Sequence, residues 1–108
     1  MPSLFTRILN GEIPGDIVYE DEHCFAFRDI VPKAPVHILI APKHEVASVA
    51  ELPEAGDHQY LLNAAKTIAA QQGLESFRLV INTGADAGQT VFHLHIHLLG
   101  GGPLGDFA

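Results

Sequence analysis

The chain has 108 residues, of which 47% are hydrophobic and 18% are charged, and its formal net charge at pH 7 is −7. This length predicts one domain, residues 1–108, with one core, and the acidic charge argues against non-specific binding to nucleic acid or to anionic membranes, which needs a basic surface. The chain has a single cysteine, Cys24, which excludes an intrachain disulfide and is expected in the core. Every apolar run is far shorter than the ~20 residues of a membrane-spanning helix, and we therefore expect a cytoplasmic protein.

The first half of the chain predicts a short helix followed by three strands. Apolar residues recur at helical spacing between Ser3, which can cap a helix, and Gly11, which can end one. Apolar runs bounded by polar turns or prolines then predict the strands. These strands cover Ile17–Glu20, Cys24–Arg28 and Val36–Ala41, and the first two form a hairpin.

The second half predicts a long helix and two more strands. The helix is expected between Pro53 and Gln72, where an apolar stripe repeats every 3.6 residues. The stripe consists of Leu61, Leu62, Ala65, Ile68 and Ala69. The strands are expected at Phe77–Asn82 and Val91–Leu99, with a glycine-bearing loop between them and Gly100 to Gly102 ending the second. This order of elements predicts an α+β fold with a mostly antiparallel five-stranded sheet, one long helix and one short helix.

The last predicted strand carries histidines at alternate positions, His93, His95 and His97. Since successive side chains of a strand point to opposite faces, the three imidazoles are expected to share one face. Imidazoles need hydrogen-bond partners when they are buried and add little to packing. The pattern therefore favours a functional site.

Three interpretations of these histidines are open at this point. They can be polar residues on a solvated strand face. They can bind zinc, but the outer pair of a strand would stand about 13 Å apart at the backbone, so further ligands such as His37 would be needed. They can also act on phosphate, because Gly84, Gly88 and Thr90 in the preceding loop can hold an anion beside an imidazole able to attack phosphorus. The combination of loop and histidines favours the third interpretation.

Two long stretches of the chain resemble the histidine triad (HIT) superfamily, and within it the Hint branch. Leu4–His44 resembles the N-terminal half of that branch, and Ile81–Gly101 resembles its active-site half. The resemblance implies a single HIT domain and a homodimer in which two five-stranded sheets join into one. It implies hydrolysis of purine nucleoside 5′-phosphoramidates to a nucleoside monophosphate and an amine through a nucleotidyl-histidine intermediate, with an AMP-type or GMP-type ligand and with no metal or other cofactor.

The resemblance also implies which residues carry the reaction. His95 matches the nucleophile and His97 a phosphate-contacting position, and His93 and His37 match a supporting histidine network. The nucleotide contacts divide into phosphate, ribose and base. They are Asn82, Thr90 and the loop residue Gly88 for the phosphate, Asp29 for the ribose hydroxyls, and Ile30 and Phe5 for the base.

Ordinary structural roles remain open for several of these residues. Asp29 can start a turn, Asn82 can cap a loop, and Phe5 and Ile30 can belong to the core. Gly102 stands where many relatives have a basic residue, so leaving-group preference is the feature least transferable by resemblance. The remaining histidines are expected at the surface; they are His23, His44 and His58.

Two rival functions remain beside the phosphoramidase. A dinucleoside polyphosphate hydrolase of the Fhit branch shares the triad, although the strand exit at Leu99–Gly101 and the N-terminal half favour the Hint branch. A nonenzymatic nucleotide-binding or interaction module is the rival from another class, and an intact triad argues against it.

Overall fold

A computed structural model describes residues 2–106. It contains two helices and five strands, together with short 3-10 turns at Val49–Glu51 and Ala85–Ala87. In chain order the elements are α1 (Leu4–Leu9), β1 (Ile17–Glu20), β2 (Cys24–Arg28), β3 (Val36–Pro42), α2 (Asp57–Gln71), β4 (Phe77–Val80) and β5 (Ile96–Gly100).

The strands form one sheet in the order β1-β2-β3-β5-β4, and each neighbouring pair is antiparallel. The predicted α+β class and five-stranded sheet are therefore confirmed. Because β5 lies between β3 and β4, His97 is placed beside Leu39 of β3 and Val80 of β4. An interior strand of the sheet thus carries the last histidine of the triad.

The two faces of the sheet bury different residues. Alternate positions such as Ala26, Ile38 and Leu98 pack with α2 into the larger core. The intervening positions pack with Phe5 of α1 in a smaller, aromatic cluster; they are Phe25, Phe27, Leu39 and Ala41. Since side chains alternate along a strand, His37 and His97 lie on the α1 side of the sheet. The short helix, not the long one, therefore borders the histidines.

The last strand begins at Ile96, not at Val91 as predicted, and it continues through Gly100. Residues 91–95 have irregular backbone, so the predicted start of this strand is wrong. The physical reason is competition for hydrogen bonds. The carbonyl of Pro42, at the end of β3, accepts from the ring of His93, and the amide of Leu94 donates to the carbonyl of Val46 at 2.7 Å. The three histidines nevertheless lie on one side of the chain, because Leu94, Ile96 and Leu98 pack in the larger core whereas His93 and His95 face Phe5.

The predicted boundaries of the long helix and of β4 are also corrected. α2 begins at Asp57 after Gly56, whose φ of 111° is not helical. Leu62 is 50% exposed and does not belong to the buried stripe, whereas Ala64 does. β4 ends at Val80, so Asn82 lies beyond the strand. Neither helix is long and apolar enough to cross a bilayer, within the part of the chain that the structure describes.

Candidate active site

His95 is held by its backbone neighbour in a defined protonation state. Its Nδ1 lies 2.8 Å from the carbonyl oxygen of His93, and because a carbonyl only accepts, Nδ1 carries the proton. Nε2 then presents an unprotonated lone pair. Burial lowers the pKa of His95 below its ordinary value, which favours the neutral ring that this geometry requires. The arrangement suits a nucleophile.

A second chain of hydrogen bonds fixes the proton on His97. The backbone N–H of Lys33 donates to Nδ1 of His37 at 3.1 Å, so the proton of the neutral His37 ring is on Nε2. That Nε2 lies 2.9 Å from Nδ1 of His97 and donates to it. His97 therefore carries its own proton on Nε2. Burial first, and then the neighbouring His95 and His37, lower the pKa of His97 to about 4, so the ring is a neutral hydrogen-bond donor at pH 7.

Asp29, His37 and His97 each offer a possible metal-ligand atom, and these atoms lie within 4.8 Å of one another. Nε2 of His37 is 3.5 Å from Oδ2 of Asp29. A metal at this position would need the lone pair on Nε2 of His37, but the amide of Lys33 places a proton there. The donor set therefore fits a proton-ordered hydrogen-bond chain better than it fits a cation.

Two cavities meet at these histidines. The larger, of about 680 Å³, is lined about equally by polar and apolar atoms and is named the polar cavity for its contrast with the smaller, of about 380 Å³, which is mainly apolar. Four residues line both cavities: Asp29, Thr90, His95 and His97. A ligand with one apolar and one anionic end can thus occupy both cavities with its middle against His95.

The apolar cavity is bordered by Phe5 and Ile30, the two residues for which the resemblance implies base contact. Ile30 is 90% exposed, which removes the core interpretation for this residue. Phe5 is buried, and its ring meets the ring of His95 edge-on with 4.9 Å between centroids. Phe5 therefore serves both the aromatic cluster and the wall beside His95.

Asp29 both closes a turn and lines the two cavities. Its Oδ1 accepts the backbone N–H of Val31 at 2.9 Å and so closes a turn. The side chain also lines both cavities, with Oδ2 near Nε2 of His37. The turn holds one oxygen and orients the other toward the cavity junction.

The loop after β4 lines the polar cavity through Asn82, Gly88 and Thr90. Gly88 has a φ of 100°, in the region that favours glycine, and a Cβ there would lie 3.7 Å from Nδ2 of Asn82. Sequence reasoning missed the residue that holds this loop. Gln89 is buried, accepts the N–H of Gly84 at 2.9 Å, and donates to the carbonyl of Ala47 at 2.7 Å. The sequence signal that could have identified Gln89 is its long amide side chain, which stands among small loop residues.

Two cations of the polar cavity were also missed, because they lie outside the histidine pattern. Lys33 and Arg78 both line it, and Arg78 donates to the carbonyl of Gly105 at 2.8 Å. The first triad residue, His93, is fully buried and lines neither cavity. It contacts His95 through its backbone carbonyl and Phe5 through its ring.

The three histidines outside the pattern lie away from both cavities. His44 and His58 are exposed, as predicted. His23 is half-buried, stacked on Tyr60 with 3.5 Å between ring centroids.

Comparison with known proteins agrees with this site. The HIT-domain family matches residues 10–104. An uncharacterised HIT-like protein of Synechococcus elongatus is 56% identical, over 92% of this chain and 90% of that protein. The purine nucleoside phosphoramidase of Escherichia coli K12 is 44% identical, over 95% and 90% of the two chains, and a 14 kDa zinc-binding protein of Zea mays is 48% identical, over 93% and 82%. The crystal structure of a histidine triad protein from Clostridium difficile superposes with a TM-score of 0.93 at 38% identity, covering 100% of this chain and 97% of the other.

Proposed function

The chain belongs to the HIT-domain family, and from that premise we propose that it hydrolyses purine nucleoside 5′-phosphoramidates to a nucleoside monophosphate and an amine. The observation that carries the proposal is the protonation state of His95 at the junction of the two cavities: Nδ1–H is bound to a carbonyl and Nε2 is free. A neutral imidazole with this tautomer is a competent nucleophile toward phosphorus.

The chemistry proceeds in two displacements. Nε2 of His95 attacks the α-phosphorus, a P–N(His95) bond forms, and the P–N bond to the amine breaks as the amine leaves with a proton taken from solvent. Water then attacks phosphorus, releases the nucleoside monophosphate and frees His95. The Nε2–H of His97 donates to a phosphoryl oxygen in both steps, with Thr90 and the loop at Gly88 beside it.

The two cavities divide the substrate. The apolar cavity, bordered by Phe5 and Ile30, takes the purine, and Asp29 at the junction takes the ribose hydroxyls. The polar cavity, lined by Asn82, takes the phosphate and the leaving amine. This division follows the polarity of each cavity and needs no metal.

A dinucleoside polyphosphate hydrolase is the second candidate, and one observation favours it. The polar cavity is the larger of the two, and Lys33 and Arg78 line it. Cations in that position can bind further phosphate groups of a longer leaving group. The two candidates share the nucleophile and differ in the leaving group.

The deciding experiment compares turnover of adenosine and guanosine phosphoramidates with turnover of dinucleoside polyphosphates. We expect the phosphoramidates to give the higher kcat/KM. His95→Ala should lose several orders of magnitude in kcat with nucleotide affinity largely retained, because the covalent route is removed. His58→Ala, at an exposed histidine of α2, is the matched control and should behave as the wild type. Faster turnover of the polyphosphates would select the second candidate, and near-normal turnover by His95→Ala would remove the mechanism.

A further inference from the structure

We propose that Ser3 is a positioning residue for the phosphoryl-transfer centre. Its hydroxyl group holds the buried ring of His93, and through His93 it holds the carbonyl that keeps the proton of His95 on Nδ1. The inference rests on the proposed function, in which His95 is the nucleophile.

The direction of each hydrogen bond follows from the groups themselves. Nε2 of His93 lies 2.8 Å from the carbonyl oxygen of Pro42, so Nε2 carries the proton and Nδ1 is an acceptor. Oγ of Ser3 lies 2.5 Å from that Nδ1 and therefore donates to it. The same Oγ accepts the backbone N–H of Thr6 at 3.0 Å. Ser3 thus caps α1 with its lone pair and orients His93 with its proton.

The ring of His93 matters because the backbone around it lies outside the sheet. β5 begins at Ile96, so the carbonyl of His93 is not held by a strand ladder. Its anchors are the ring of His93, bound at both nitrogens, and the amide of Leu94, bound to Val46. That carbonyl accepts Nδ1–H of His95 at 2.8 Å. If the ring turns, the carbonyl shifts, and the proton of His95 can move to Nε2, where it blocks attack.

The start of α1, which carries Ser3, is also held by the carboxylate of Glu45. The backbone N–H of Ser3 and the hydroxyl of Thr6 both donate to Oε1 of Glu45, the latter at 3.0 Å. Phe5, between them, lies against the rings of both His93 and His95, with centroid distances of 5.6 and 4.9 Å. Helix α1, which borders the apolar cavity, is therefore coupled to His95. The atom that makes the link is Oγ of Ser3, through its hydrogen bond to His93.

The test combines kinetics with histidine side-chain 15N NMR of the ligand-free protein, which reports which ring nitrogen carries the proton. In the wild type we expect His93 as the Nε2–H tautomer and His95 as the Nδ1–H tautomer. In Ser3→Ala, which leaves a buried acceptor unpaired, we expect kcat to fall roughly tenfold to a hundredfold with KM little changed, and part of the His95 population to shift to Nε2–H. Ser3→Thr, which keeps the hydroxyl, should restore both readouts.

Thr6→Val is the matched control. It removes a hydroxyl that contacts both Ser3 and Glu45 at the same helix start, at 3.2 and 3.0 Å, but leaves the bond between Ser3 and His93. We expect its kcat and tautomers to match the wild type. Three results would overturn the proposal: an Nδ1–H tautomer of His93 in the wild type, unchanged tautomers in Ser3→Ala, or a loss of kcat in Thr6→Val equal to that in Ser3→Ala. Failure of the wild type to cleave phosphoramidates would remove the proposed function instead, since the NMR readout needs no substrate.

Discussion

At the scale of single residues, the site consists of neutral imidazoles whose protons are assigned by partners that can only donate or only accept. The Lys33 amide acts on His37, and the carbonyl of His93 acts on His95. Burial lowers the pKa of each of these histidines, so the neutral forms that such ordering needs are the stable ones at pH 7. Substitutions here are therefore expected to change chemistry more than folding.

Asp29 is expected to select ribonucleotides over 2′-deoxyribonucleotides. An ionised carboxylate only accepts hydrogen bonds, and a ribose diol offers two donors. Charge-assisted bonds contribute about 1.5–3 kcal/mol, so Asp29→Ala should lower kcat/KM roughly tenfold to a hundredfold. The penalty for the 2′-deoxy substrate, present in the wild type, should nearly vanish in this variant.

Both substrates are measured on both proteins, with Asp29→Asn expected to be intermediate because its amide oxygen accepts without charge. The turn role of Asp29, which is real, predicts lower stability in Asp29→Ala. If the ratio of ribonucleotide to 2′-deoxyribonucleotide turnover is unchanged in Asp29→Ala, Asp29 does not bind the ribose and its role is to close the turn.

Activity is expected to survive exhaustive chelation. The proton that Lys33 places on Nε2 of His37 occupies the position of a metal bond. The measurement is kcat before and after dialysis against a strong chelator, with metal content determined on the same samples. If activity is lost and stoichiometric zinc restores it, the protein is a metalloenzyme, and Nε2 of His37 does not carry the proton.

At the scale of elements, the site depends on how β5 enters and leaves the sheet. The chain reaches β5 through irregular backbone that carries His93 and His95, and it leaves through Gly100 and Gly101. Gly100 pairs with Val36 of β3 and with Phe77 of β4, so the strand is bound on both sides to its last residue. The position of His97 is thereby set by regular pairing, whereas that of His95 is set by contacts outside the strand ladder.

Gly101→Ala is expected to destabilise the fold, because this glycine has a φ of 91° and a Cβ there would lie 3.0 Å from Cβ of Pro35. A left-handed conformation alone costs an L residue about 1–2 kcal/mol, and the close approach adds to it. Urea unfolding measures the difference.

Gly105→Ala is the matched control for this change, since Gly105 has no positive φ and a Cβ there meets open space. The control should unfold at the wild-type urea concentration. Equal stability of the two variants would show that the chain after β5 relaxes freely and that Gly101 is not required by the turn.

At the scale of the whole molecule, four buried or half-buried histidines link stability to pH. Burial lowers the pKa of each, for His97 to about 4 from an ordinary value of 6.5. Above pH 6.5 both the folded and the unfolded chain hold these rings neutral. Between pH 6.5 and the folded pKa, the unfolded chain binds more protons, so the free energy of unfolding falls as the pH falls.

We therefore expect urea unfolding to give a constant free energy from pH 8 to 7 and a decrease from pH 6.5 to 5. Each contributing histidine adds about 1.4 kcal/mol per pH unit to the slope. His97→Gln should flatten the slope, whereas His58→Gln, at an exposed position, should not. If the free energy of unfolding stays constant down to pH 5, the histidines bind protons as readily in the folded protein as in the unfolded chain, and their pKa values are not lowered.

The protein is expected to be a homodimer in which the sheet continues across β4. β4 is an edge of the sheet, and Phe77 and the nearby Ile81 are 40% and 42% exposed. Unpaired strand edges flanked by apolar side chains favour pairing with a second chain. Light scattering at micromolar concentration should give twice the chain mass of 11.6 kDa, and a monomer would refute the prediction.

The sequence by itself determined the elements that depend on local patterns. Turn residues and apolar spacing predicted α1, the hairpin β1–β2, β3 and most of α2, because these signals lie within a few residues of one another. The alternation of His93, His95 and His97 with apolar residues also marked the site. The pattern predicted phosphate chemistry because buried imidazoles cost free energy unless they form hydrogen bonds or serve a function.

The tertiary structure alone decided how those histidines are held. His93 and His95 lie outside β5. The ring of His93 binds the carbonyl of Pro42 and the hydroxyl of Ser3, which are 51 and 90 residues away in sequence, and the ring of His95 binds the carbonyl of His93. Local periodicity carries no information about such partners, so it assigned these residues to a strand. The tautomers, the pKa values and the meeting of two cavities at His95 arise from the same long-range contacts, since each depends on which groups the folded chain brings within hydrogen-bond distance.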